Sequence, residues 1–273
     1  MFESHHIQLS VYRFQIIVNG VNLDMQIQSK ISFDINEYMS EYYSSLGQEN
    51  GDAGSFLLSV NKRLPKRRNI RMLDAGCGPT LLYWLVFYPN VKECYGFDIQ
   101  VDAVNFVEKQ IADVAKGRFC PALIEAAQKA IYLGNLDIDA KKYLMEKSLK
   151  IQSIKVANLC ERWPYKSGAF DVVQSCFAVE CLPNFGCLDN ALQEAHRLLC
   201  PGGFLNLVNV SRGTHWLCGG RSYKLLHLSP STIGTRLREN GFEVVSIEEI
   251  KSVDKDTRDQ GYACTLHTHA IRR

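Results

Sequence analysis

Apolar residues in this chain fall into two alternating patterns, short unbroken runs and longer stretches in which they recur every three or four positions. Residues 70–74 form a short run bounded by charge, the mark of a strand buried on both faces, and residues 94–98, 154–159, 170–175 and 204–210 repeat it. Between the first two runs, residues 80–87 read as a fully buried helix. Val101, Val104, Val107, Ile111 and Val114 then line one face of a helix over 101–115. Residues 116–150 form an insert with helical patterning at 121–132 and 140–149, and a helix over 188–199 closes on Cys200-Pro201-Gly202-Gly203. A helix over 232–240 stopped by Gly241 and strands over 242–250 and 263–270 complete the pattern. Ahead of the first strand, a helix over 34–43 is followed by a Gly/Asn/Asp break at 47–54 and a second helix at 56–64. The alternation predicts an α/β fold, a doubly wound, mostly parallel sheet with an antiparallel pair at its end.

Residues 1–32 stand apart from this pattern. Apolar residues at 11–18, Asn19-Gly20 and a second short run at 21–23 predict a β-hairpin, or an extension without fixed structure, and Met25 is an alternative start. Residues 33–273 are expected to form one domain.

The densest chemistry lies at Leu73-Asp74-Ala75-Gly76-Cys77-Gly78-Pro79-Thr80, where a strand ends in a carboxylate and runs straight into Gly-x-Gly. Asp98 ends the next apolar run 24 residues later. Two adjacent parallel strands, a glycine turn after the first and an acid at the tip of the second suit a nucleoside-bearing ligand. The glycines let the backbone approach it closely, and the acid accepts hydrogen bonds from both ribose hydroxyls. A dinucleotide fold asks for a third glycine, where this chain has Leu81, and Asp74 would repel a pyrophosphate. A nicotinamide-dependent dehydrogenase is therefore disfavoured, and a cation without phosphate, such as S-adenosyl-L-methionine, fits better.

These residues resemble the class I S-adenosylmethionine-dependent methyltransferases, whose fold is Rossmann-like. The resemblance narrows with Tyr38-Met39-Ser40-Glu41-Tyr42-Tyr43 upstream, Pro79-Thr80 after the turn, the insert between the second and third strands, and Asn240-Gly241-Phe242. This set is similar to the nicotinamide, phenylethanolamine and indolethylamine N-methyltransferases over roughly residues 33–270. The resemblance implies that helices at 33–64 act as a lid, with Tyr38 and Tyr43 over the cofactor, although two aromatics packed into a core would leave the same pattern. It also implies that Asp74, Gly76, Cys77, Gly78 and Thr80 hold the methionine part, Asp98 the ribose, and Ile99, Asn158 and Leu159 the adenine. Ser175 and Cys176 would then lie near the transferring methyl.

The acceptor side departs from the family. Its acid after the fifth strand is replaced by Asn209, which leaves Glu180 as the nearest carboxylate, either as a partner for an amine or as a solvated loop residue. Arg212, His215, Trp216, Arg221 and Tyr223 cluster after the same strand. Asn209, Arg212, Trp216 and Tyr223 are candidates for acceptor binding and Glu180 and His215 for general base, and the resemblance implies methylation of a nitrogen in a small amine or heteroaromatic. Methylation at O, S or C, and binding of the cofactor without catalysis, are the alternatives.

Composition narrows the field further. The net charge of +2 and the absence of aromatic interleaving in Lys62-Arg63-Leu64-Pro65-Lys66-Arg67-Arg68 argue against a nucleic-acid partner. None of the ten cysteines is spaced as Cys-x-x-Cys, so no metal site and a reduced, cytoplasmic protein are expected. No apolar stretch nears the ~20 residues of a membrane span. A monomer or weak dimer is the expected state.

Overall fold

The computed structural model describes residues 33–64, 69–83, 90–252 and 261–273. The hairpin expected within residues 1–32 and the second half of the helix expected at 80–87 lie outside them. Five parallel strands form the heart of the sheet: β1 (Ile70–Ala75), β2 (Val91–Asp98), β3 (Ile151–Val156), β4 (Phe170–Cys176) and β5 (Leu199–Ser211). With β6 (His215–Cys218) and β7 (Arg221–Lys224) as a separate hairpin, β8 (Phe242–Lys251) and β9 (Cys264–Arg272) complete a seven-stranded sheet of order β3-β2-β1-β4-β5-β9-β8. β9 runs antiparallel to both its neighbours. The chain winds outward from β1 through β2 to β3, then returns to start again at β4. The C-terminal ends of β1 and β4 thus flank the switch point, the crevice where open α/β sheets bind ligands.

Side chains alternate across the strands, so each face has its own core. Met72, Cys94, Val172, Phe204 and Val208 pack with Leu57 and Leu58 of α2 (Gln48–Asn61), Ala126 and Ala127 of α4 (Pro121–Gly134) and Leu144 of α5 (Ala140–Ser148). Leu73, Phe97, Phe170, Val173 and Leu205 pack with Leu188, Leu192 and Ala195 of α6 (Phe185–Leu198) and Ile233 and Leu237 of α7 (Pro230–Glu239). In front of the sheet lies α1 (Ile35–Tyr42), started by Asp34, whose carboxylate accepts the N–H of Asn36 and of Glu37. Between β2 and the insert runs α3 (Val101–Ala115).

Three elements differ from the expectation. The Gly/Asn/Asp stretch at 47–54 is helical, because α2 begins at Gln48. Gly51, Ala53 and Gly54 are buried there, and their small size lets α2 lie close to its neighbours, so packing overrides poor helix propensity. β3 spans Ile151–Val156 rather than 154–159, which leaves Asn158 and Leu159 in the loop beyond it. The segment at 215–224, to which no element was assigned, is a hairpin. Gly219 and Gly220 both adopt positive φ (55° and 70°), as the favoured two-residue turn requires.

Phe97 is fully buried against Trp163, ring centres 5.0 Å apart, at the strand end that carries the acid Asp98. Phe97→Ala is expected to cost about 3–5 kcal/mol in urea unfolding.

Candidate active site

The turn after β1 is fastened to β2 through the backbone. Gly76 and Cys77 both donate their N–H to the Phe97 carbonyl, at 2.9 and 3.0 Å. Gly78 N–H donates to Asp98 Oδ2 and Gln100 N–H to Asp98 Oδ1, each at 2.9 Å. Asp98 is 9 % exposed; burial raises its pKa while these N–H groups pull it back. Gly76, at φ 74°, has no room for a side chain: a Cβ there would lie 2.7 Å from that of Ala178 and 3.2 Å from Leu159 Cδ1. The loops after β1, β3 and β4 therefore meet at this one residue.

Asp74 is 1 % exposed. Its Oδ2 accepts from Gln174 Nε2 at 3.1 Å, whereas Oδ1 is buried without a hydrogen-bond partner. Burial pushes its pKa up to about 7, opposed by the Gln174 bond and reinforced by Asp98. Ser175 Oγ donates to the Ala75 carbonyl at 2.7 Å, and Cys176 is buried beside Asp74. Thr80 is buried, its Oγ accepting the Leu82 N–H at 3.1 Å.

Past β4, Phe177 takes a left-handed φ of 53° and leads into a short 3-10 turn, Val179–Cys181. Glu180 in this turn is 2 % exposed, which overturns the solvated-loop alternative. Asn209 Nδ2 donates to Glu180 Oε2 at 2.8 Å and Val210 N–H to Oε1 at 3.1 Å. Asn209 thus stands where the family acid was sought, and its amide donates to the buried carboxylate of Glu180. Burial pushes Glu180 up to about 7.

An aromatic group joins α1 to the hairpin. Trp216 stacks on Tyr223 at 4.5 Å and meets Tyr38 edge-on at 5.9 Å. Tyr38 lies 5.6 Å from Tyr43, whose hydroxyl donates to that of Tyr83 at 3.5 Å. The Tyr42 hydroxyl donates to the Leu217 carbonyl, and Gly219 N–H donates to Glu41 Oε1 at 3.1 Å. Tyr42, Tyr83, Glu41 and Gln174 were not among the candidates. Gln174 left a signal, as an amide inside an apolar run, and Tyr42 was part of the tyrosine motif itself.

Other candidates sit differently. Arg212 pairs with Glu249 of β8 and is half exposed, so its charge is neutralised outside the aromatic group. His215 opens the hairpin with Nδ1 3.0 Å from Thr214 Oγ1. The Asn158 side chain is turned into its own loop, Oδ1 accepting the Cys160 N–H at 3.0 Å and Nδ2 donating to Glu161 at 3.1 Å. Ile99, next to Asp98, is 57 % exposed, and Val156, opposite Asp98 in the register, is exposed as well. Arg221 lines a cavity of about 590 Å³ between α1 and α3 with Phe33, Asp102, Phe106 and Lys109. All ten cysteines are free thiols.

The crevice thus gathers a buried carboxylate with one untied oxygen, a second carboxylate bonded to the N–H groups of Gly78 and Gln100, and the exposed aliphatic side chains of Ile99 and Val156. Sheet order, glycine turn and strand-end acid together define a Rossmann-like methyltransferase fold. Residues 38–247 match the family described as "Methyltransferase domain", and the chain belongs to that family and is a methyltransferase. It is 21 % identical to nicotinamide N-methyltransferase from Sus scrofa over 248 residues, covering 86 % of this chain and 88 % of that protein. Its fold is similar to an S-adenosylmethionine-dependent methyltransferase from Methanosarcina mazei (TM-score 0.56, 15 % identity, 78 % of this chain and 96 % of that one). The N-methyltransferase NodS from Bradyrhizobium japonicum, solved with S-adenosyl-L-homocysteine, is similar too (TM-score 0.53, 13 % identity, 85 % and 91 %). Among the described residues, no helix is long and apolar enough to cross a membrane.

Gly76→Ala meets both a steric and a conformational penalty, whereas a Cβ at Gly78 (φ 58°) has nothing within 4 Å. Gly78→Ala is expected to cost only the ~1–2 kcal/mol of a left-handed residue, and Gly76→Ala clearly more, both read by urea unfolding. A pH dependence follows as well. Asp74 and Glu180 rise from 3.8 and 4.5 to about 7, so the folded chain holds protons that the unfolded chain has released. Their contribution favours folding below about pH 4 and is lost as pH rises through 7, by about 3–4 kcal/mol apiece. Glu180→Gln is expected to flatten the fall in stability between pH 5 and pH 8, measured by urea unfolding at both.

Proposed function

We propose that this methyltransferase moves the methyl group of S-adenosylmethionine to a nitrogen of a small amine or heteroaromatic acceptor. The observation that carries the reading is Glu180, buried and held by Asn209 and the Val210 N–H. A buried carboxylate with fixed geometry suits an amine, and the aromatic group around Trp216 suits a flat one. The similarity to nicotinamide N-methyltransferase supports the same acceptor class, and membership of the nicotinamide, phenylethanolamine and indolethylamine branch is part of the proposal.

The residues present fit the cofactor. The spare Asp74 Oδ1 suits its ammonium, the remaining lone pairs of Asp98 suit ribose hydroxyls, and exposed Ile99 suits the adenine face. Gly76, Cys77 and Gly78 let the backbone lie against the methionine part, and Tyr38 and Tyr43 cover it. Leu159 packs at Gly76, and Ser175 and Cys176 border the same crevice, whereas Asn158 is bonded within its own loop and Thr80 is bonded to Leu82 N–H. When bound, S-adenosylmethionine supplies a methyl group already activated by the sulfonium.

The chain's part is to align and to exclude water. Trp216 and Tyr223 present stacked faces for the acceptor ring. Glu180, poised near neutrality, accepts at a carboxylate oxygen the proton that a protonatable amine must lose, with Asn209 and Val210 N–H fixing its direction. A pyridine-type nitrogen needs no such base. Arg212 and His215 have no part in the proposed site.

Asp98→Ala is expected to weaken S-adenosylmethionine binding by about tenfold or more in isothermal titration, in line with the ~1.5–3 kcal/mol of hydrogen bonds to a charged group. Glu180→Gln should leave that affinity within about twofold and lower kcat for alkylamines by about 10²-fold or more, while sparing pyridine-type acceptors. Full turnover of alkylamines by Glu180→Gln would remove Glu180 from the mechanism. An acceptor panel without any methylated amine or heteroaromatic nitrogen would overturn the N-directed reading.

A further inference from the structure

One polar row crosses the sheet face that packs against α2 and α4. Asp74 of β1 lies beside Gln174 of β4, Gln174 beside Asn206 of β5, and Asn206 beside His269 of β9. None of the four is more than 1 % exposed. Such a row is costly in an apolar core unless its members bond one another. At its outer end His269 Nδ1 lies 2.7 Å from Asn206 Oδ1. Burial pulls His269 down to about 4, so the neutral ring donates there from Nδ1. At the inner end Gln174 Nε2 meets Asp74 Oδ2.

The turn itself does nothing to orient the Asp74 carboxylate. The N–H groups of Gly76 and Cys77 are committed to the Phe97 carbonyl, and that of Gly78 to Asp98. Gln174 is the side chain that donates to Asp74, and it engages one oxygen and leaves the other, Oδ1, buried without a partner. A buried carboxylate with one oxygen tied and one untied is directional, and the untied oxygen is the one available to a ligand.

We propose that Gln174 is a positioning residue of the cofactor site, tying Asp74 Oδ2 so that Oδ1 is presented to the ammonium of S-adenosylmethionine. The inference rests on the reading of Asp74 as the ammonium's partner. Gln174 itself touches no ligand. It also lowers the pKa of Asp74 against the effect of burial, so its removal has a signature in pH as well as in affinity. The groups facing Asp74 among the described residues are Asp98 from β2, Tyr43 following α1, and the thiols of Cys77, Cys94 and Cys176 from the turn, β2 and β4. Burial holds the phenol and the thiols neutral near pH 7, which leaves Asp98 as the ionised neighbour.

The test is isothermal titration of the full chain with S-adenosylmethionine from pH 6 to pH 9, with folding followed by thermal unfolding. The wild type is expected to bind more tightly as pH rises through neutrality and Asp74 ionises. Asp74→Asn is expected to bind weakly at every pH. Gln174→Met, close in volume but without a donor, is expected to lose about tenfold at pH 7 and to recover partly at pH 9, its midpoint displaced upward. Gln174→Glu matches the native shape, but its carboxyl donates only while protonated, so its affinity is expected to fall above neutrality instead of rising. That reversal is not produced by a change in packing, and it decides the matter if Gln174→Met does not fold. Wild-type affinity in Asp74→Asn would overturn the ammonium reading of Asp74 and the inference with it. A weak Asp74→Asn beside Gln174 variants with wild-type affinity and pH profile would overturn the role of Gln174 alone.

Discussion

The whole crevice hangs on how closely backbone approaches backbone at Gly76. Its N–H and that of Cys77 share the carbonyl of Phe97, and its α-carbon lies against Ala178 and Leu159. That contact draws the loops after β1, β3 and β4 together at the point where the sheet reverses its winding. With any side chain at Gly76, Ala178 would be pushed outward. The turn that follows Ala178 carries Glu180, so a residue with no functional group of its own sets the separation between the two carboxylates. Phe177, held at positive φ with its N–H on the Val208 carbonyl at 2.7 Å, is the second fixed point of that turn.

Around this frame the chain buries charge that it does not fully compensate. Asp74 has one donor and an untied oxygen; Glu180 has two donors and a pKa near neutrality. In a structural core such groups would be replaced by apolar residues at a gain in stability. Their burial at a switch point, beside a glycine turn, is what supports the proposed site over a packing accident. The same reasoning sets Arg212 aside. Its charge is matched by Glu249 and half in water, so the fold spends nothing on it and gains no directional group from it.

Where backbone geometry follows from local chemistry, the sequence was readable. The β1 run with Asp74, the Gly-x-Gly turn and the acid at Asp98 all sit where alternation and glycine content placed them, and the doubly wound, mostly parallel sheet with its antiparallel end follows from the β-α alternation. Reading failed where distant packing decides. The glycines at 51 and 54 looked like a break until the space they leave inside the core is seen. Asn158 and Leu159 were assigned to a strand end, although the strand stops at Val156 and Asn158 satisfies itself within the loop. The hairpin at 215–224 left no readable pattern, because β6 and β7 are only four residues each, too short for their alternation to stand out. Asn209 is the instructive case. As a sequence position it read as a lost acid, and only the fold shows that its amide points at the Glu180 carboxylate, on the far side of α6 in the chain.

That substitution also constrains the lid. An acid after β5 would face Glu180 across 2.8 Å, and two carboxylates at that distance share a proton, raising one pKa and fixing the charge of the pair rather than of either member. An amide in the same place leaves one carboxylate with a defined donor and a single titration. In the proposed site, the closure over it is built from neutral parts: Tyr38 and Tyr43 from the helix side, Trp216 and Tyr223 from the hairpin, joined through Tyr42 and Leu217. The charged residues of this joint, Glu41 at the hairpin turn and Arg221 at the cavity rim, stand at its outer edge. In the proposed site, charge selection rests on two buried carboxylates, Asp74 and Glu180, and shape selection on the aromatic group around Trp216. On the proposed reading, a ligand pair that brings a cation to each carboxylate and a flat surface to the rings meets the untied Asp74 Oδ1, the Glu180 carboxylate and the faces of Trp216 and Tyr223.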